Sequence, residues 1–186
     1  IAFPRLLLGV AALLAAYTAL RFMFAGYANL RGMRLIKAWQ QVDWHARYQQ
    51  EANADSLAWD SVRHIVIIPN YKEEMATLCA TLESLAQQYE ARQRMIIVLA
   101  MEGGESGAEA KAQQLIAQFQ DRFAHVFYTL HPRGLPSEMQ CKSSNEAWAG
   151  RWIKRRLIDE LGWDINTLLV TTMDADTLWH PEYFYA

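Results

Sequence analysis

The sequence predicts an α/β domain built on a mostly parallel sheet, preceded by a helix able to span a membrane. Three observations carry this. Short apolar runs rich in β-branched residues alternate with stretches whose apolar residues recur every third and fourth position. The first pattern marks buried strands, the second marks helices laid on a sheet, and their alternation makes the sheet parallel. Residues 6–20 are all apolar or small. Finally, the last apolar run leads into Thr171-Thr172-Met173-Asp174-Ala175-Asp176. Two carboxylates thereby stand at the carboxyl end of a strand, the edge where open α/β sheets bind ligands.

Taken in order, the N-terminal run resumes after Arg21 as Phe22-Met23-Phe24-Ala25-Gly26-Tyr27. Read through Arg21, it reaches the roughly 20 residues that a membrane-spanning helix needs. An arginine near a helix end snorkels to the interface. Arg31, Arg34 and Lys37 follow the run, against Arg5 before it. The positive-inside rule therefore expects the downstream chain in the cytoplasm, anchored at the inner or plasma membrane. A signal peptide is the competing reading, but no small-residue cleavage site stands out. No extracellular cysteine pattern follows, and Cys79 and Cys141 fit a reducing compartment. Residues 1–34 are thus expected to be the transmembrane segment. In residues 35–63, Leu35, Ile36, Trp39, Val42, Trp44 and Tyr48 recur at roughly helical spacing. They predict an amphipathic linker helix, suited to a membrane interface or to packing on the next domain.

Residues 64–186 are expected to form the α/β domain. Ile65-Val66-Ile67-Ile68, closed by Pro69-Asn70, is its first strand. Met75, Leu78, Leu82, Leu85 and Tyr89 mark one face of a helix. The second strand, residues 95–100, ends in the glycine-rich loop Met101-Glu102-Gly103-Gly104-Glu105. Ala112, Leu115, Ile116, Phe119 and Phe123 mark the next helix, and residues 126–130 the third strand. Pro132 and Pro136 keep the following loop irregular. A third helix covers residues 143–161, and Leu168-Leu169-Val170 reads as a buried fourth strand. The chain begins with Ile and stops soon after the acidic pair, so it reads as an excerpt of a longer protein.

The four strand ends then share one edge. They carry residues 69–73, 102–105 and 131–133, and Asp174 with Asp176. Arg133 and Lys142 are the cations placed for phosphate; His131 and His180 are given no role. Two adjacent carboxylates repel unless a proton or a cation intervenes. Mg2+ or Mn2+, sharing its remaining positions with phosphate oxygens, resolves that repulsion. Nucleic acid is not expected as a partner, since 18 Lys and Arg stand against 20 Asp and Glu.

These motifs resemble the inverting, family-two glycosyltransferases of the GT-A fold, over residues 64–184. Ile65-Val66-Ile67-Ile68-Pro69-Asn70-Tyr71-Lys72-Glu73-Glu74 is similar to that family's opening strand and Pro-x-Tyr-Asn-Glu loop, with Lys72 in place of Asn. Met101-Glu102-Gly103-Gly104 stands where relatives read Asp-Asp-Gly-Ser. Cys141-Lys142-Ser143-Ser144-Asn145 resembles the Gly-Lys stretch, and Asp174-Ala175-Asp176 the Asp-x-Asp motif. The resemblance implies a Rossmann-like nucleotide-binding half. It implies Pro69, Tyr71, Glu73 and Glu102 at the nucleotide, Lys142 at the diphosphate, and Asn145 as a weaker contact. Asp174 would lie at the ribose, the sugar or the metal, and Asp176 at Mg2+ or Mn2+. The implied donor is a nucleoside diphosphate sugar, expected to be UDP-linked. The acceptor would be a polysaccharide or a lipid-linked molecule at the membrane. In relatives the general base lies well after the Asp-x-Asp strand, so no catalytic residue is assigned here. A membrane-tethered nucleotide-binding scaffold without transfer activity is the alternative. A phosphatase with an Asp-x-Asp strand end is the poorer one, because Leu178 stands where it needs Thr or Val.

Overall fold

The computed structural model describes residues 2–185. The chain divides into two compact units, with the boundary between Arg47 and Tyr48.

The first unit is dominated by helix α1 (Ala2–Trp39). Its 38 residues, at the usual rise, run for about 57 Å, nearly twice the hydrocarbon thickness of a bilayer. It is long and apolar enough to cross a membrane, and none of its apolar window is buried. Leu8, Leu13, Phe22 and Phe24 are all exposed. The helix passes beyond Arg34 because neither proline nor glycine follows Gly32 to stop it. It ends at Trp39, and Asp43 starts helix α2 (Trp44–Glu51) by accepting the Ala46 N–H at 2.9 Å. The region expected to hold one linker helix is therefore broken: residues 35–39 prolong α1, and α2 is separate.

The second unit holds the sheet. Strands β1 (Arg63–Asn70), β2 (Met95–Glu102), β3 (His125–His131) and β4 (Leu168–Thr172) are all parallel, in the order β3-β2-β1-β4. The connections are helical, as parallel strands require. Helix α3 (Met75–Ala86) and the one-turn α4 (Ala91–Arg94) link β1 to β2, and α5 (Ala108–Phe119) links β2 to β3. Helix α6 (Lys142–Ile153) continues as a wider π-helical segment (Lys154–Glu160) before β4. Tyr89, expected on the α3 face, falls beyond the end of that helix at Ala86 and is exposed.

Alternation along the strands builds two cores. Val66, Ile68, Ile97 and Leu99 face α3 and α5 with Leu78, Leu82, Leu115 and Phe119. Ile65, Ile67, Ile96 and Val98 face α6 with Ala149, Ile153 and Leu157. Every residue of β2 is buried, as a central strand demands. Burial of each such side chain contributes roughly 1.5–3 kcal/mol. β4 corrects the sequence reading. It pairs only with β1 among the described residues, and Leu169 and Val170 are 52% and 54% exposed. An apolar run of this length does not distinguish a central strand from an edge strand.

Candidate ligand site at the sheet switch point

β1, β2 and β3 run outward in one direction, and β4 returns to the other side of β1. The reversal opens a crevice beyond the carboxyl ends of β1 and β4, the usual ligand position in such sheets. A cavity of about 590 Å³ occupies that end of the sheet. Pro69, Tyr71, Glu73, Glu102, Lys142, Asp174 and Asp176 all line it, so these expected site residues are brought to one place. Asn70, Gln140, Cys141, Asn145 and Ala175 complete the wall. Arg133 is not among the lining residues; its guanidinium lies over Gly104.

The β1 end explains its own sequence. The Ile67 carbonyl accepts the Met173 N–H, so odd-numbered β1 residues turn their backbone toward β4. Pro69 is two residues on, past the last β1–β4 pair at Ile67 and Thr172. Its missing N–H therefore deprives no strand and leaves the crevice open. The chain then bends through Lys72 at a φ of 64°, a conformation that disfavours Lys. Glu105 holds the bend: its carboxylate accepts the Lys72 N–H at 2.7 Å and the Asn70 amide at 3.1 Å, and it pairs with Lys111. Burial pushes the Glu105 carboxyl up, but the Lys111, Lys72 and Asn70 contacts together outweigh it and hold it below the ordinary carboxylate range.

The acidic pair follows from alternation beyond β4. Met173 and Ala175 are buried in the core, and Thr81 anchors the turn by donating to the Ala175 carbonyl at 2.7 Å. Asp174 and Asp176 consequently face outward, both exposed. Lys142 pairs with Asp174, and that bond is the main reason its ammonium is held above its ordinary value. Asp176 has no hydrogen-bonded partner among the described residues. The donor set fits a hard divalent cation: exposed carboxylate oxygens aimed into an open cavity. Among the described residues no third His, Cys, Asp or Glu joins them, so a bound ligand or water would have to complete the shell.

Glu102 is placed quite differently. It is buried, and its two oxygens are already engaged, one 3.1 Å from His131 Nδ1 and the other accepting the Gln140 amide at 2.7 Å. His131 Nε2 lies 2.6 Å from Glu138 Oε1. The β2 and β3 ends come together because Gly103 donates its N–H to the His131 carbonyl at 2.8 Å. A Cβ on Gly103 would meet that same oxygen at 2.8 Å, so only glycine fits.

At the start of α6, the Ser144 hydroxyl accepts the Cys141 N–H at 3.0 Å. Hydrogen bonds from Ser144, backbone first, lower the exposed Cys141 thiol below its ordinary value. Asn145 is buried and donates its amide to the Ala100 carbonyl at 2.7 Å. That leaves Asn145 Oδ1 without a partner, as it leaves Asn70 Oδ1. Each amide nitrogen faces an oxygen that can only accept, so both carbonyls are fixed as the unpaired atoms. A buried unpaired acceptor is costly, and both lie behind the cavity wall with almost no exposed surface.

His131, Glu138 and Gln140 were missed by sequence reasoning. His131 is the last residue of β3 as Glu102 is of β2, and the parallel register sets the two side by side. Glu138 and Gln140 lie in an irregular loop with no period to read.

The fold and site thus define a class: a parallel α/β protein with an acid-rimmed cavity at its switch point, carrying a long apolar N-terminal helix. No protein-family model matches the chain, and no curated protein matches it.

Proposed function

We propose that this chain is the donor-binding part of a membrane-anchored, inverting glycosyltransferase of family two and the GT-A fold. The observation that carries the reading is convergence. Four motifs spread over more than 100 residues, from Pro69 to Asp176, line one cavity at a switch point. The cavity also suits a nucleoside diphosphate in kind. It offers an aromatic face at Tyr71 and a cation at Lys142 beside two carboxylates.

In this reading Tyr71, Pro69 and Glu73 flank the nucleoside, and Lys142 meets the diphosphate. Asp174 and Asp176 would hold Mg2+ or Mn2+, which supplies charge neutralisation at the departing diphosphate. The chain's own part is to bind and orient: Thr81 fixes the acidic turn, and Glu105 fixes the Tyr71 loop. Lys142 would exchange Asp174 for phosphate when the donor enters. No residue here is assigned as general base. The acceptor is a polysaccharide or a lipid-linked hydroxyl, with α1 in the membrane and the sheet on the cytoplasmic side.

Calorimetric titration of the whole chain in detergent with UDP, with and without Mn2+, tests the reading. Each ligand should strengthen binding of the other, since linkage is reciprocal. Absence of any UDP binding with Mn2+ present would sink it.

A further inference from the structure

The cations near the end of α1 have no protein partner, and their place on the helix selects one from outside. Residues 1–42 hold Arg5, Arg21, Arg31, Arg34 and Lys37 but no Asp or Glu; the first acid is Asp43. Arg31, Arg34 and Lys37 are exposed and make no hydrogen bond or ion pair among the described residues. They recur every third position, which keeps them within about a third of the helix circumference. Leu35, Ile36 and Trp39, also exposed, fall on the other side. The end of α1 therefore carries one basic face and one apolar face.

The unbroken helix fixes how deep those cations lie. The apolar run closes at Tyr27, and residues 6–27 at the usual rise cover about 33 Å, enough for the hydrocarbon layer. Helix α1 continues to Trp39, so Arg31 and Arg34 stand about 6 Å and about 10 Å past Tyr27 along its axis. The headgroup region on each side of a bilayer is about 5–8 Å thick. Arg31 thus lies at phosphate depth, and the long stems of Arg34 and Lys37 reach back toward it. Tilt shortens these heights and brings all three closer. A zwitterionic headgroup offers these cations no net charge, whereas an anionic one does. With no acid along the helix to neutralise them, the anionic kind is favoured.

We propose that this face of α1 is a binding site for anionic phospholipid headgroups, with Arg31 and Arg34 on the phosphate and Lys37 adding to the field. The site lies outside the nucleotide cavity and rests only on the membrane-anchored part of the reading above.

For the test, the whole chain is reconstituted in phosphatidylcholine vesicles and first extracted with alkaline carbonate. Release of the wild type would end the membrane-anchored reading and this site with it. For a retained chain, electron paramagnetic resonance of trace spin-labelled phosphatidylglycerol or phosphatidylcholine reads how much of each lipid the protein immobilises. At low salt the wild type should favour phosphatidylglycerol roughly fivefold or more, the effect of about one basic residue near a charged surface. Salt at about 1 M should remove most of that preference. Arg31→Gln, Arg34→Gln and Lys37→Gln together should bring it close to one, while Arg31→Lys with Arg34→Lys should keep most of it. As a control, Lys154→Gln, Arg155→Gln and Arg156→Gln together remove the same charge from the second unit and should leave the preference unchanged. A retained wild type without preference, a preference that survives the α1 triple variant, or equal losses in both triple variants would overturn the site and leave the anchor standing.

Discussion

Glu102 at the end of β2 and the pair Asp174 and Asp176 beyond β4 line the same cavity under opposite rules. Glu102 is buried, with each oxygen engaged by a neighbour on the third strand or its loop. The aspartates are exposed on a turn whose apolar residues plug the core, and only Asp174 is paired, with Lys142. A carboxylate with its lone pairs engaged and its solvent removed holds architecture. One kept in solvent beside a mobile cation keeps its capacity for an incoming ligand. Acidic strand ends that look alike in a sequence thus divide into a buried, engaged kind and an exposed kind with oxygens to spare.

Removing Glu102 should cost most. Glu102→Ala leaves buried His131 without one of its two carboxylate partners and should lower stability by about 2–4 kcal/mol in urea unfolding. Glu102→Gln keeps an acceptor for His131 and should cost less than half as much. Equal losses in the two variants would mean that the contact is not what holds the strand ends together. Next comes Gly103→Ala, whose new methyl meets the His131 carbonyl. It should destabilise by about 1–3 kcal/mol, read as a lower thermal midpoint. A neutral outcome would show that the two strand ends are free to part.

Glu105 lies between the extremes, since its burial is offset by three donors. Glu105→Gln should cost about 1–2 kcal/mol near neutral pH. The folded carboxyl is held below its unfolded value, so its contribution is present above the unfolded pKa and fades as pH falls through the depressed one. The gap between wild type and variant should therefore close on acidification. A gap constant with pH would contradict the assignment. The smallest effect belongs to the exposed pair: Asp176→Asn should move stability by no more than about 0.5 kcal/mol. A larger loss would place Asp176 with Glu102 among the structural acids.

Much of this fold was legible because each strand and helix repeats its own period. The runs at Ile65, Met95, Val126 and Leu168 all became strands, and the three amphipathic faces became α3, α5 and α6. What failed was information that periodicity does not contain. The exposure of β4 depends on which strand it pairs with, and the stop of α3 at Ala86, before Tyr89, leaves no mark in the apolar spacing. At the site, residues on strand ends were legible because the edge gathers them. The Glu138 and Gln140 contacts were not, since an aperiodic loop reaches its partners through space alone. Glu102 was found in the right place, but its ties to His131 and Gln140 appear only in three dimensions.

The central claim, that the exposed pair binds while the buried acid supports, is tested by the gain in UDP affinity that Mn2+ confers. That gain is measured by calorimetry on wild type, Asp176→Asn and Glu102→Gln, each as the whole chain in detergent. Asp176→Asn should abolish most of the gain, because a neutral amide oxygen is a poor ligand for a hard cation. Glu102→Gln should retain the gain in full, whatever it does to absolute affinity. An Asp176→Asn variant that keeps the whole gain, or a Glu102→Gln variant that loses it, would contradict the account.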